Sequence, residues 1–240
     1  MSQLRICSFV FLLSLLPSTW ARAENILVIG DSHSCQDFGT GLLSNLSREG
    51  HNVTLYCAPS SSPRNWVNRR TPDGHTCNTM TTAQPTLVKC AQEGAMPDLA
   101  QILRGQQRVI VALGTNSLGA PQVDRFYEAL SAIVHRSGAR CEWVGPPHLA
   151  PTRVRNDREQ RRLASLQNHL HSFYDSMEAA VGRRCTLVDS RGATSEGTAG
   201  APTRDGVHRT RPAGQSWAQA VTSQIFPQSG SQSAVQRVAH

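Results

Sequence analysis

The chain has 240 residues, of which 39% are hydrophobic and 17% charged, with a formal net charge of +7. This composition is that of an ordinary globular chain, and it excludes a collagen-like, disordered or multi-span membrane protein. Its basic charge comes almost wholly from arginine, since Lys89 is the single lysine. Arginine favours acidic partners such as carboxylates, although a compositional bias toward arginine explains the same count. We expect no nucleic-acid partner.

The first 23 residues have the pattern of a secretory signal. Arg5 precedes an apolar run from Ile6 to Leu16, and residues 21–23 (Ala-Arg-Ala) have the small-x-small form of a signal-peptidase site. The run has about 11 residues, fewer than the roughly 20 that span a bilayer core. We expect cleavage after Ala23, no membrane span and a secreted or periplasmic protein; an uncleaved anchor is the alternative.

Removal of this segment takes away Cys7 and leaves an even number of cysteines. They are Cys35, Cys57, Cys77, Cys90, Cys141 and Cys185. Six cysteines in a secreted chain indicate up to three disulfides, whose connectivity the spacing leaves open.

Short apolar runs alternate with amphipathic stretches after the signal. The runs predict strands at Asn25–Gly30, Asn52–Cys57, Arg108–Leu113, Arg140–Val144 and Cys185–Val188. The stretches predict helices at Gly39–Arg48, Leu99–Leu103, Val123–Arg136, about 156–180 and about Pro212–Ile225. This alternation predicts an α/β fold with a mostly parallel sheet covered on both faces, and functional residues beyond the carboxyl ends of its strands.

Two segments depart from the alternation. Residues 58–98 form a long Pro-, Ser-, Thr- and Asn-rich insertion that contains Cys77 and Cys90, and a connection of this length is expected to be functional or cross-linked. Residues 227–240 are rich in Gln and Ser without apolar periodicity, which predicts a disordered tail.

A serine follows the first predicted strand directly. Gly30-Asp31-Ser32-His33 places Ser32 at a strand-to-helix turn, where the backbone amides of the helix start surround it. A serine that only caps the helix explains the same tripeptide.

Two further motifs fall at the same predicted edge. Asn116 follows the third strand, and its side-chain amide suits a developing oxyanion. Asp205 stands three residues before His208, just ahead of the last helix. Its carboxylate is placed to hold the ring Nδ1 and leave Nε2 to accept a serine proton, the division of roles in a Ser-His-Asp triad. Each motif alone is weak, and the three together are much stronger.

Together these motifs resemble those of the SGNH (GDSL-type) hydrolase family. The resemblance covers about 25–226, and it implies a domain at 24–226 with a flavodoxin-like three-layer α/β/α sandwich and a five-stranded parallel sheet in the order 2-1-3-4-5. It implies that Ser32 is the nucleophile, His208 the general base and acid, and Asp205 the orienting carboxylate. It implies neither metal nor other cofactor, and the sequence has no C-x-x-C pair that suggests zinc.

The resemblance also implies an oxyanion hole made by the Ser32 amide, the Asn116 side chain and a glycine amide after the second strand. No glycine stands there before Gly74. Because the needed group is a backbone N–H, Ser60 is our choice for the third donor and Ser61 the second choice.

The strand order implied by the resemblance pairs the cysteines. Cys35 and Cys57 follow adjacent strands at the catalytic edge, and Cys141 and Cys185 begin another adjacent pair. Cys77 and Cys90 then close the insertion.

Four more residues are candidates for substrate contact. His33 either lines the pocket or packs against it, and Trp66 either stacks on a sugar ring or packs the insertion. Arg153 and Arg155 belong to a basic cluster after the fourth strand. That cluster is either a solvated helix face or a rim that holds an anionic substrate.

These features predict a secreted or periplasmic serine esterase that acts as a monomer and removes O-acetyl groups from a carbohydrate such as peptidoglycan, through an acyl-enzyme. A lipid or thioester hydrolase, an O-acetyltransferase of the same fold, and a non-catalytic cell-wall binding module are the alternatives. Ester hydrolysis by the wild type and by Ser32→Ala separates the enzymes from the binding module.

Overall fold

The structure of the protein is a computed structural model that describes residues 23–119, 123 and 125–227. The predicted signal segment up to Arg22 and the predicted tail beyond Pro227 lie outside the described residues. None of the helices in the described ranges has the length and apolar character that crossing a membrane needs.

Within these ranges the strands form a single sheet. They are β1 (Asn25–Gly30), β2 (Asn52–Cys57), β3 (Asn78–Thr81), β4 (Val88–Lys89), β5 (Arg108–Ala112), β6 (Arg140–Val144) and β7 (Thr186–Val188). Their spatial order is β4-β3-β2-β1-β5-β6-β7. The five strands from β2 to β7 in that order are parallel, which confirms the predicted 2-1-3-4-5 core of the sheet.

The prediction of five strands was too low, because the insertion adds two. β3 pairs antiparallel with β2, and β4 pairs antiparallel with β3. Their polar sequences, Asn-Thr-Met-Thr and Val-Lys, lack the apolar run that marks the other strands. Backbone pairing along the free side of β2 makes them strands.

Helices cover both faces of the sheet. They are α1 (Asp37–Arg48), α2 (Pro63–Val67), α3 (Leu99–Ile102), α4 (Arg125–Arg136), α5 (Asp157–Asn168), α6 (Leu170–Val181), α7 (Arg191–Thr194) and α8 (Arg211–Ile225). The single helix predicted at 156–180 is two helices, because the chain tightens at His169, whose amide donates to the Leu166 carbonyl.

The core divides into two layers that follow the alternation of the strands. On one face, α1 and α8 pack over Ile26 and Val28, and the Phe38 ring stacks on Trp217 with centroids 3.8 Å apart. On the other face, Leu27 and Ile29 belong to the layer that α3, α4 and α6 supply. Burial on both faces explains why β1 is continuously apolar, and it holds the carboxyl end of β1 rigidly in place.

The three predicted disulfides are confirmed. Cys35–Cys57, Cys77–Cys90 and Cys141–Cys185 have Cα separations of 5.4, 5.5 and 4.4 Å. The first joins the segment after β1 to the end of β2, and the second closes the insertion. Disulfides persist in oxidising compartments, and three of them are consistent with an extracellular or periplasmic protein.

Candidate active site

The carboxyl end of β1 passes at once into the turn that carries Ser32. A Cβ added to Gly30 would lie 1.9 Å from Ser34 Oγ, so only glycine fits where the turn folds back on the strand. The Asp31 side chain accepts from the His33 amide at 2.9 Å and fixes the turn. Ser32 is half-buried at its tip, where its hydroxyl meets the loop before α8.

Three side chains from this turn and that loop form a continuous hydrogen-bonded chain. Ser32 Oγ lies 3.0 Å from His208 Nε2, and His208 Nδ1 lies 2.7 Å from Asp205 Oδ2. A carboxylate oxygen accepts, so Nδ1 carries the ring proton and Nε2 is the acceptor for the serine hydroxyl. The structure thus brings together all three residues of the predicted triad, across a sequence separation of 176 between Ser32 and His208.

The Asp205 loop is shaped by its own backbone. Asp205 Oδ1 accepts from the amides of Val207 and His208 at 3.0 and 2.7 Å, and Gly206 has a φ of +83° in a space too tight for a Cβ. Burial raises the pKa of Asp205, but the bonds from the His208 ring and from the two amides outweigh it, and the pKa lies below its ordinary value. Asp205 is therefore an anion that faces the ring at neutral pH.

Asn116 lies in the short 3₁₀ turn after β5, beside the Ser32 turn. Its Nδ2 donates to the Ser61 carbonyl at 3.0 Å and to Asp31 Oδ2 at 3.4 Å. These two bonds orient the side-chain amide next to the loop that follows β2. The predicted donor Asn116 thus contacts the residues next to Ser32 and next to Ser60.

The loop after β2 contains the backbone conformation that glycine usually supplies. Ser60 has a φ of +60°, and among the described non-glycine residues this sign is shared with Arg69. A left-handed residue directs its amide differently from its neighbours, and Ser60 is exposed. Ser61, the second choice, is buried and its amide donates to the Ala58 carbonyl. The geometry therefore favours Ser60 over Ser61 as the third donor.

Two ionisable side chains are buried beneath the triad. Burial raises the pKa of Asp31 to about 7, against the amide bonds that lower it. Burial also lowers the pKa of His33 to about 3, so the imidazole is neutral. The His33 ring lies 5.2 Å from the His208 ring and packs edge-on against Trp217 at 5.4 Å. His33 thus supports the triad histidine from below.

Two of the candidates for substrate contact are corrected by burial. His33 is 4% exposed, so it packs under the site and does not line its surface. Trp66 is fully buried, and its indole N–H donates to Ser61 Oγ at 3.3 Å. Its ring cannot stack on a sugar; it supports the loop that contains Ser60.

The two candidate arginines lie on the surface. Arg153 and Arg155 are both exposed, on the segment that follows β6. Arg153 lines a cavity beside the triad loop. The sequence interpretation also missed two neighbours of Asn116, the Asp31 carboxyl and the Ser61 carbonyl, although the position of Asp31 next to Ser32 was a signal.

No group of three or more His, Cys, Asp and Glu side chains suited to a metal ion occurs among the described residues. The groups that meet at the edge are a hydroxyl, an imidazole, a carboxylate and amide donors. These are the groups that acyl transfer by a serine nucleophile uses.

No protein-family model matches the sequence, and no curated protein matches it. Solved structures do match: a candidate SGNH hydrolase from Slackia heliotrinireducens covers 85% of this chain and 100% of its own, with 16% identity and a TM-score of 0.58. This chain has the SGNH hydrolase fold.

Two further structures agree on the fold. The acetyl xylan esterase AlAXEase has 13% identity, covers 84% of this chain and 100% of its own, and gives a TM-score of 0.51. TesA has 18% identity, covers 85% and 99%, and gives a TM-score of 0.50. At such low identities, the structural similarity shows the fold alone.

Proposed function

We propose that the protein is a secreted or periplasmic serine esterase that removes O-acetyl groups from a carbohydrate. The observation that carries this proposal is the chain from Ser32 Oγ to His208 Nε2, 3.0 Å, and from His208 Nδ1 to Asp205 Oδ2, 2.7 Å. These distances are those at which a histidine accepts a nucleophile's proton while a carboxylate orients it.

In the first half of the reaction Ser32 Oγ attacks the ester carbonyl carbon, and its proton passes to His208 Nε2. The tetrahedral oxyanion faces the Ser32 amide, Asn116 Nδ2 and the Ser60 amide. When the carbon–oxygen bond to the sugar breaks, His208 returns the proton to the departing sugar oxygen. The products are a free sugar hydroxyl and an acetyl group on Ser32.

In the second half a water molecule attacks the acetyl carbonyl while His208 takes one of its protons. The same donors stabilise the second oxyanion. The bond to Ser32 Oγ then breaks, and the proton moves from His208 to the serine. Acetate leaves and the resting site is restored.

The surroundings of Ser32 favour a short acyl group on a polar alcohol. The insertion next to the site is rich in Ser, Thr and Asn, and the fold is shared with a protein named as an acetyl xylan esterase. An apolar cavity of about 620 Å³, walled by Val67, Leu99, Leu103 and Ile133, is lined by none of the triad residues. This apolar cavity therefore does not place an acyl chain against the triad.

The test is acetate release from O-acetylated peptidoglycan, acetylated xylan and acyl lipids by purified protein. We expect release from a glycan by the wild type, and a loss of about 10⁴-fold or more in Ser32→Ala. Ser172→Ala is the matched control, since Ser172 is exposed on α6. A wild-type protein that neither turns over short-chain esters nor reacts with a serine-directed phosphonate would be a binding module, and the esterase proposal would be wrong.

A further inference from the structure

A second cavity lies behind the loop that carries the triad acid and base. Its volume is about 460 Å³, within the range of small-ligand sites. It lies between the segment after β6 and the segment that leads into Asp205. The residues that line this cavity include His148, Arg153, Glu196, Ala201 and Arg209.

The cavity is tied to the triad through the backbone. Arg209 follows His208 directly, so their Cα atoms are about 3.8 Å apart. The Ala150 amide, on the opposite wall, donates to the Gly206 carbonyl at 2.8 Å. A ligand in this cavity therefore contacts residues that position the triad loop.

Arg209 is a buried cation that has no counter-ion among the described residues. Its side chain is 4% exposed, and no carboxylate of the described residues lies within 4.0 Å of its guanidinium nitrogens. Two nitrogens donate to backbone carbonyls, those of Ala201 at 2.6 Å and of His148, while buried Nε has no partner among the described residues. Burial lowers the pKa of Arg209 to about 10, so the side chain still carries its charge at neutral pH. An unpaired buried charge is unfavourable, and an anion beside it would offset that cost.

His148 adds a hydrogen-bond acceptor to the same cavity. Its Nδ1 lies 3.0 Å from the Arg191 carbonyl oxygen, which only accepts, so Nδ1 carries the ring proton. Burial lowers the pKa of His148, and the neutral ring keeps Nε2 as an acceptor. An acceptor of this kind suits a ligand hydroxyl.

The rest of the lining is polar and net basic. Arg153 and Glu196 are both exposed, and they line the cavity from two different segments of the chain. With neutral His148, the lining carries two arginines against one carboxylate. A ligand that satisfies these groups has a carboxylate for the arginines and hydroxyls for the imidazole and Glu196.

We infer that this cavity is a binding site for a sugar acid, that is, a hydroxylated ring that bears a carboxylate. The inference rests on the proposed esterase function, and it narrows the substrate class to esters of acidic glycans. The same chemistry has two sources, a sugar acid within the ester substrate or a separate sugar-acid ligand that acts on the triad loop. The experiments below distinguish them.

The first experiment compares two esters that differ in one group. O-acetylated methyl glucuronide carries a carboxylate where O-acetylated methyl glucoside carries a hydroxymethyl group. We expect the wild type to have a kcat/KM about tenfold higher for the glucuronide, the size of one hydrogen bond to a charged group. This preference decreases as salt is added.

Three variants identify the groups responsible. Arg209→Gln removes the preference, and Arg153→Gln, a surface change that the fold tolerates, lowers it about two- to threefold. Arg183→Gln is the matched control, because Arg183 is exposed in the turn before β7 and its loss changes the net charge equally. A ratio near one in the wild type, or an equal loss for both esters in Arg209→Gln and Arg153→Gln, would overturn the inference.

The second experiment uses free glucuronate as the probe. Competitive inhibition of glucoside-ester hydrolysis supports a subsite for the substrate, and a change in kcat without competition supports a separate ligand. Calorimetry with glucuronate and Ser32→Ala tests the site without turnover. If no ester is hydrolysed by the wild type, the proposed function fails, whereas absence of glucuronate binding overturns this inference alone.

Discussion

The two ends of the parallel sheet differ in the partners of their buried charged groups. At the amino end, Arg108 is 5% exposed and donates from Nε to Glu24 at 2.9 Å and from a terminal nitrogen to Glu142. Arg140 donates to the second oxygen of Glu24. Burial raises the pKa of Glu24, but these bonds outweigh it and leave the pKa low, whereas burial dominates at Glu142 and raises its pKa.

At the carboxyl end the buried ionisable groups lack partners of opposite charge. Asp31 accepts from the His33 amide, the His33 ring packs against the His208 ring, and Arg209 donates to backbone carbonyls. Paired charges at one end hold the strands in register. At the other end Arg209 keeps its charge for a ligand, at a cost in stability, while the neutral ring of His33 lies under the site and supports it. The variants below test this division.

The largest expected effect on stability is at the amino end. Arg108→Met removes the arginine partner of buried Glu142 and leaves Glu24 with Arg140 alone, which lowers the free energy of unfolding by about 3–5 kcal/mol. Urea denaturation measures the change. Arg140→Gln is the control, since its exposed pair contributes about 1 kcal/mol or less. Equal small losses in both variants would show that the pairing does not separate the two ends.

At the carboxyl end, the largest expected effect of a variant outside the triad is a fall in kcat. Asn116→Ala removes one oxyanion donor, and we expect kcat to fall by about 10²–10³-fold with little change in stability, because Asn116 is exposed. Steady-state kinetics on a short-chain acetyl ester measures it. Gln106→Ala, which removes a side-chain amide at the other end of β5, is the control for kcat. A fall in stability as large as that of Arg108→Met would contradict the division.

The buried Asp31 carboxyl predicts a pH dependence of stability. Its folded pKa, about 7, lies above the ordinary value of 3.8, so the folded state holds a proton that the unfolded state releases. Its contribution to stability is present in full below the unfolded pKa and is lost as pH rises through about 7, at up to roughly 1.4 kcal/mol per pH unit.

Asp31→Asn isolates this contribution from other titrating groups. Urea denaturation at pH 5, 6 and 8 gives the unfolding free energies of wild type and variant. Relative to the variant, the wild type should lose stability as pH rises to about 7, and the difference should then stay constant. A difference that is flat with pH, or that moves in favour of the wild type, means that Asp31 is ionised throughout.

The smallest expected effect concerns Ser60. Ser60→Gly relieves the positive φ and stabilises the protein by about 1 kcal/mol, while the backbone N–H is kept. Ser62→Gly is the matched control, because Ser62 precedes α2 in extended backbone and its amide donates to Asn65. Thermal unfolding should show opposite signs for the two changes. A destabilised Ser60→Gly would contradict the strain at this loop.

Much of this architecture could be predicted from the sequence because burial on both faces demands apolar runs. Asn25–Gly30 and Arg140–Val144 match β1 and β6 residue for residue. The short polar strands of the insertion could not be predicted, since backbone pairing leaves no mark on side-chain type. The disulfide pairing could be predicted from the strand order that the family resemblance implies.

The site was predictable where chemistry restricts the residue type. Ser32, Asn116, Asp205 and His208 are brought to one edge, as their motifs indicate. Burial of Trp66 and the conformation of Ser60 could not be predicted, since each depends on packing of the insertion. Arg209 was also missed, because nothing in the residues around it shows that the segment after β6 folds over it.

The Cys35–Cys57 disulfide links the two loops that form the site. Cys35 lies three residues after Ser32 and Cys57 three residues before Ser60, so one bond fastens both the nucleophile turn and the donor loop. In a reducing compartment the two loops are held by non-covalent contacts alone. Formation of this disulfide therefore links the order of both loops to an oxidising compartment.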